Sequence, residues 1–430
     1  MPKQESRVMG SKIKSVHARQ IFSDRGHPGI EATVTTEDGK NGTAMVTAGQ
    51  SVGKFEVQFV YDGGERWAGM GVQKAVDNVD TVIAPAIKGM AATKQREIDE
   101  TMLKLDGTPN KTKLGGNATA SVSAAVLKAG AASLEIPLYQ HIGGVNACLL
   151  PVVGAVCVVG SDRYGGGKRS GGKPSYALMA YGFKTFSEAS YACWDIERQF
   201  SQLVNKKLKI KISSVMTMPL IPPGAVNSDR DLWNLMTEAI NGAGYRNKVG
   251  IQVDIAAGTY YEAEKDRFVG LFSKEDKTKG DLIELYKEMV KNYPFVIVED
   301  PLDEVDYEGH AVVTRELGIE VVGDDLFTTN IERLKRGIEA KACNAVLLKV
   351  NQIGTITEAF DMVQLAYRHG YGVMPCSSRG EGADIADYVV GLSTGHMREG
   401  GTGQTANRLL QIEEELGSNA KFIGKAGLKP

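Results

Sequence analysis

The runs VGIQVD (249–254), FVIVED (295–300), IEVVGDD (319–325) and AVLLK (345–349) decide the reading of this chain. Each is a short apolar stretch that stops at a charged side chain: Asp254, Glu299, Asp324 and Lys349. The last three are spaced 25 residues apart, and the segments between them, Tyr307 to Leu317 and Asn330 to Ala342, carry apolar residues at helical spacing. Strand, helix, strand at a fixed repeat predicts a parallel β/α barrel, whose chemistry sits where strands end and loops begin. Three carboxylates and an amine on neighbouring strand ends then face one cavity.

That charge set is lopsided, and the imbalance carries information. Converging carboxylates repel, so they either take up protons or hold a cation; all-oxygen ligands with room for water suit Mg²⁺. A lysine beside a bound dication loses its proton more easily, because burial and repulsion both disfavour the ammonium form. A metal beside a neutral amine can take a proton alpha to a carboxylate while the metal absorbs the charge of the enediolate. The bland alternative is that acids after strands cap helices, and Asp300 or Asp325 suits that role alone.

At 430 residues, 42% apolar and 24% charged, the chain can bury a large core, as two domains or one barrel with an appendage. A net charge of −2 and a pI near 6.4 argue against nucleic acid or an anionic membrane as principal partner. No apolar run approaches the length of a membrane span, and MPKQESRVMGSKIKS lacks the apolar core of a signal peptide, so a cytoplasmic protein is expected. Cys148, Cys157, Cys193, Cys343 and Cys376 show no metal or disulfide spacing. Cys376 alone follows an apolar run, YGVM, at a further strand end, where it either packs or looks into the cavity.

Residues 12–90 begin as strands and turns, IKSVHARQIF, IEATVTT and NGTAMVT, with DGKNG as a hairpin signal. The loop TAGQSVGKFEV (47–57) is rich in small residues, as suits a surface connection or a lid over a ligand. From Gly71 to Ser133 the pattern turns helical, which predicts an α+β unit.

Several long blocks, in consistent order over most of the chain, closely resemble the enolase (phosphopyruvate hydratase) family. They are DGTPNKTKLGGNATASVSAAVLKAGAASLEIPLYQHI (106–142), VEDP (298–301), GDDLFTTN (323–330), LLKVNQIGT (347–355) and LLQIEEELG (409–417). The resemblance implies an α/β protein: an N-terminal α+β capping domain over 1–143, then a modified eight-stranded β/α (TIM-like) barrel over 144–430. It implies Mg²⁺ as cofactor and a homodimer or higher homo-oligomer. It puts Asp254, Glu299 and Asp324 on a tightly held metal, Ser51 on a second, and Lys349 at the general base. Arg398, in TGHMREGG (394–401), stands where the family has a second active-site lysine. An arginine there stays charged and can hold a carboxylate bidentately. For association, the resemblance points to the N-terminal strands and the C-terminal helix, with Arg19 and the cluster Glu413, Glu414, Glu415. Trp67, Trp194 and Trp233 are assigned to packing.

Residues 151–226 depart from the family. Its two leaving-group glutamates fall on or near Ser175 and near Pro219, and neither neighbourhood holds a glutamate. The strand end expected to carry a histidine and an Arg-Ser pair reads Cys376-Ser377-Ser378-Arg379, with Ser378 and Arg379 left to grip the substrate phosphate. Of the histidines, His396 is the one expected near the cavity. In place of the missing acids stands the glycine-rich loop from Gly160 to Gly172, with Arg163, Lys168, Arg169 and Lys173. It reads either as a solvated basic loop or as an anion-gripping lid, its glycines letting backbone N–H groups approach and these cations, Lys168 and Arg169 among them, adding charge. It is not a P-loop, since Asp162 stands where another glycine is needed.

Hydroxide is a poor leaving group, and a general acid contributes roughly 10²- to 10⁴-fold. A chain that keeps metal and base but drops the acid can still form an enediolate. It is expected to act poorly on 2-phosphoglycerate and better on a more anionic, phosphorylated relative. The competing expectation is a catalytically silent paralogue acting as a binding protein. Racemisation ranks last, because it needs a base on each face and one is visible.

Overall fold

The chain opens with an antiparallel sheet, β1 (Ile13–Phe22), β2 (Pro28–Thr36) and β3 (Asn41–Thr47), in the order β1-β2-β3. The DGKNG turn joins the last two, closed by the Thr36 N–H donating to the Lys40 carbonyl at 2.9 Å. This computed structural model describes residues 11–23, 26, 28–49, 52–160, 162–167, 172–210, 220–376, 380 and 382–430. The helix Gly116–Leu134, built mostly of Ala, Ser, Val and Gly, lies on β2 and β3. Its closeness rests on small residues: a Cβ on Gly42 would stand 2.1 Å from the Ala125 carbonyl oxygen. Helices Gln95–Asp106 and Leu138–Gly143 complete this layer.

The rest of the chain forms a curled sheet. After the two-residue β4 (Leu149–Leu150) come β5 (Val153–Val158), β6 (Ser175–Ala180) and β7 (Val249–Asp254). A small ribbon, β8 (Tyr261–Glu262) with β9 (Arg267–Phe268), precedes β10 (Phe295–Glu299), β11 (Glu320–Gly323), β12 (Ala345–Leu348) and β13 (Gly372–Pro375). The short β14 (Lys421–Phe422) pairs with β4. The large sheet runs β13-β12-β11-β10-β7-β6-β5. Residues of β7, β11, β12 and β13 are buried throughout, as strands covered on both faces require, which is why they read as unbroken apolar runs. Intervening helices such as Tyr307–Leu317 and Ile331–Ala340 cover the outside, the second capped by Asn330.

Seven named strands make this sheet, and the segment 395–398 takes the eighth place. Gly395 bridges to Val373 and His396 to Val152. The Met397 N–H donates to Val152 O at 3.0 Å and the Gly401 N–H to Gly154 O at 3.0 Å, which closes the ring.

The barrel is modified at one strand: β6 runs antiparallel to both β5 and β7. A parallel neighbour needs a crossover, usually helical, and among the described residues no helix lies between β5 and β6. Reversal puts the start of β6, not its end, at the rim where the parallel strands finish: Ser175 pairs with Asp254.

The two layers are joined by buried polar contacts. Asp99, fully buried on the helix Gln95–Asp106, accepts from Thr357 N at 3.0 Å, Thr357 Oγ1 at 2.6 Å and Ser123 Oγ at 2.6 Å. Trp233 is core, while Trp194 and Trp67, 51% and 38% exposed, pack at the surface against Tyr191 and Phe22. All five cysteines are free thiols. No helix among the described residues is long and apolar enough to cross a membrane.

Candidate active site at the carboxyl ends of the barrel strands

Sheet register brings the acids together. Glu299, the last residue of β10, pairs with Asp254, the last of β7, on one side and with Val322 of β11 on the other. Asp324 follows β11 directly and Lys349 follows β12. All four side chains are buried, and Lys349 Nζ donates to Asp324 Oδ2 at 2.5 Å.

Each acid is held in orientation. Gln252, two residues before Asp254 and so on the same strand face, donates to Glu299 Oε2 at 2.9 Å. Gln352, in the single turn after Lys349, donates to Asp324 Oδ1 at 2.7 Å. Thr329 Oγ1 accepts the Lys349 N–H at 3.0 Å and donates to Gln352 Oε1 at 2.8 Å. Asp300 does not cap a helix of its own, Asp306 being the cap of Tyr307–Leu317. It accepts the N–H groups of Asp324 (3.1 Å), Asp325 (2.8 Å) and Leu326 (3.4 Å), bracing the turn that carries Asp324. Asp300, Thr328 and Thr329 have left-handed backbone, with φ of 44°, 46° and 53°. Non-glycine residues held there cost about 1–3 kcal/mol each and cluster at functional sites.

Arg398 enters from the segment that closes the barrel. Its Nη1 touches Asp254 Oδ2 and lies 3.3 Å from Glu299 Oε1, while Nε donates to Glu399 Oε2 at 3.2 Å. Glu399 also accepts from the Cys376 thiol at 3.4 Å, so this cysteine reaches the wall of the cavity. A third cation arrives from the reversed hairpin: Lys173, two residues before Ser175, pairs with the same Asp254 oxygen. Burial, with Arg398 and Lys349 close by, lowers the Lys173 pKa to about 7, against the pull of Glu299 and Asp324. Burial pushes the Glu299 carboxyl up while Arg398 opposes the rise. Burial and the charge of Asp324 push Asp325 up to about 8.

The hairpin that delivers Lys173 is fastened at its base. Asp229, fully buried, accepts from Arg163 Nη2 at 2.9 and 3.1 Å, Tyr164 Oη at 2.7 Å and Tyr176 Oη at 2.7 Å. The Gly160 N–H donates to Gly172 O at 2.7 Å, and the Tyr260 hydroxyl donates to the Lys173 carbonyl. A Cβ on Gly166 would stand 1.7 Å from Val269 O, so that part of the loop can seat only as glycine. Arg163, expected to grip anions, is instead spent on Asp229.

The loop after β3 closes the top. Gly53 lies against Asp325 and Thr328, Lys54 Nζ is 2.8 Å from Glu304, Phe55 stacks 3.7 Å from the Arg333 guanidinium, and Glu56 accepts from Gln352 at 3.4 Å.

Other sequence assignments fare differently. Ser51, Lys168, Arg169, Ser377, Ser378, Arg379 and Pro219 lie outside the described residues. His396 is a correction: it is fully buried, with Nε2 2.6 Å from Glu320 at the start of β11, the opposite end of the barrel from Asp324. A strand is too long for one side chain to serve both ends. Gln252, Gln352 and Glu399 went unassigned. The even spacing of Gln252 from Asp254 was the signal available for it; Lys173 needed the reversal of β6.

The donor set fits a divalent cation. Glu299, Asp300 and Asp324 each offer an oxygen within 4.8 Å of the other two. Asp300 is committed to its turn, which leaves Asp254, beside Glu299 in the sheet register, as the alternative third ligand, its Oδ2 meeting Lys173 and Arg398. A carboxylate oxygen has two lone pairs, so one hydrogen bond does not bar coordination.

Two family models cover the chain. "Enolase, N-terminal domain" matches residues 13–142 and "Enolase, C-terminal TIM barrel domain" matches 155–430. Curated relatives called enolase are similar along nearly their whole length. That of Methanocaldococcus jannaschii is 40% identical over 425 residues, 96% of this chain and 97% of the relative. That of Methanopyrus kandleri is 40% identical over 422 residues, with the same coverage. That of Pyrococcus furiosus is 39% identical over 428 residues, again 96% and 97%.

Proposed function

The chain belongs to the enolase family, and from that premise we propose that it is a Mg²⁺-dependent carbon–oxygen lyase acting on a small anionic carboxylate. The observation that carries this reading is the Lys349 amine, 2.5 Å from Asp324 and on the strand next to it, inside a ring of carboxylates.

Lys349, once unprotonated, takes the proton from the carbon alpha to the substrate carboxylate. The released pair forms the Cα–Cβ double bond as the Cβ–O bond breaks. Glu299, Asp324 and Asp254 would hold a divalent ion, which when bound would supply positive charge to offset the electron density gained by the carboxylate. Arg398 screens Asp254 from Glu299. Gln252 and Gln352 hold the acids so that the charges are fixed before substrate arrives. Ser175 stands at the rim beside Asp254, at the position the family gives to a leaving-group glutamate, and a serine is a weak acid. That favours a leaving group that departs as a stable anion over hydroxide. The active form is proposed as a homodimer in the cytoplasm.

One observation favours the silent-paralogue reading: Lys173, Lys349 and Arg398 pair with Asp254, Asp324 and Glu299, the same acids a metal would use. Exchange of the α-hydrogen of 2-phosphoglycerate in D₂O separates the two. Wild type with Mg²⁺ is expected to exchange, and Lys349→Ala to lose about 10²- to 10⁴-fold. Absence of exchange in wild type, together with no Mg²⁺ binding by calorimetry, would favour the binding protein.

A further inference from the structure

The hairpin between β5 and β6 has no role in proton abstraction, yet the chain fixes it in place at considerable structural cost. A buried Arg163–Asp229 pair, two tyrosine hydroxyls on that same carboxylate and a glycine wedged against Val269 hold its base. What this anchorage delivers is one amine: the Lys173 side chain is 13% exposed and sits at the cavity rim. Its charge and that of Arg398 converge on one oxygen, Asp254 Oδ2. Two cations converging there make a receptor for an oxyanion, because charged N–H donors exchange a carboxylate for a phosphate without losing hydrogen bonds. They meet at Asp254, beside the β10–β12 wall that carries Glu299, Asp324 and Lys349, with Arg398 Nη1 3.3 Å from Glu299 Oε1; the proposal puts the substrate's β end there, with its α-hydrogen facing Lys349.

We propose that Lys173 determines specificity: with Arg398 it binds a phosphoryl group on the substrate's β-carbon, so that the group expelled is phosphate. This rests on the lyase reading above and names its substrate class, a carboxylate with an acidic α-hydrogen and a β-phosphate. The α-hydrogen goes to the Lys349 amine, its bonding pair becomes the Cα–Cβ π bond, and the Cβ–O pair leaves with the phosphate. Departing from the singly protonated ester, phosphate carries its own proton away as hydrogen phosphate. No enzyme acid is needed, which accounts for a chain that keeps the base while serine stands at the Ser175 position.

The test compares 2,3-bisphosphoglycerate with 2-phosphoglycerate, each with Mg²⁺, by calorimetric Kd and by release of inorganic phosphate. Wild type is expected to favour the bisphosphate by about ten- to a hundredfold, the worth of one charge-assisted hydrogen bond. Lys173→Ala should bring that ratio close to one, and Lys173→Arg should restore most of it, which a merely structural lysine would not do. Equal affinities in wild type overturn the proposal even where a variant fails to fold, and so does an undiminished ratio in Lys173→Ala. A wild-type ratio near one with intact α-hydrogen exchange removes the Lys173 proposal alone, whereas absent exchange in wild type with the ratio intact removes the lyase reading alone.

Discussion

Two walls of the cavity are built differently. One is the run β10, β11, β12, where strands joined by helices present Glu299, Asp324 and Lys349 in register. The other is the hairpin of β5 and β6, where a loop turns back and presents Lys173 from the beginning of a reversed strand. In the proposed reaction the regular wall fixes the groups that remove a proton. The irregular wall, on the same proposal, faces the end of the substrate that departs, and here the sequence leaves the enolase pattern. Proton abstraction and leaving-group chemistry would then sit on separable supports, so one could change while the other stays.

If the irregular wall is as firmly specified as the regular one, the largest effect should come from its anchor. Asp229→Ala leaves the Arg163 charge buried without its partner, and losing one member of such a pair costs about 3–5 kcal/mol. Chemical denaturation is expected to show that loss. A midpoint unmoved from wild type would mean the hairpin is loosely seated and the two walls are unequal.

The regular wall is probed more gently through Gln252, which touches neither substrate nor Lys349 but orients Glu299. Gln252→Leu should weaken Mg²⁺ binding about ten- to a hundredfold with the fold intact. Unchanged affinity in a calorimetric titration would break the assignment of Glu299 as a ligand.

The smallest effect concerns pH and lies behind the irregular wall. Glu197, on the helix Phe186–Leu208 that follows β6, has its pKa raised by burial to about 7, with a hydrogen bond from Thr402 opposing the rise. Its folded-state pKa lies above its usual 4.5, so the folded chain binds the extra proton between those values. Its contribution is therefore fully present below pH 4.5 and is lost as pH rises toward 7. Glu197→Gln should flatten that slope and raise stability at pH 8 by about 1–2 kcal/mol in thermal melts. A slope identical to wild type would show the helix to be indifferent to this carboxyl.

The regular wall could be read from the chain because period and charge coincide there: an apolar run buried on both faces, then one ionic residue, three times at equal spacing. Glu299, Asp324 and Lys349 follow from that alone, and Asp254 from the same apolar run ending in a charge, without the spacing. Lys173 does not, because its position depends on a reversal that no local pattern announces. In sequence it is the last of several lysines and arginines scattered among glycines, and Arg163 looked equally eligible. A buried partner far along the chain, Asp229, decides between them. His396 failed for a related reason, since closeness to Arg398 in sequence is distance along an extended strand in space.

The segment 395–398 completes the barrel through single bridges on either side, and it is also the stretch that carries Arg398. Ring closure and charge neutralisation are thereby one mechanical event. Until that last stitch is made, Asp254 and Glu299 confront each other without the guanidinium between them, and a barrel whose seam springs open loses its electrostatic balance in the same motion.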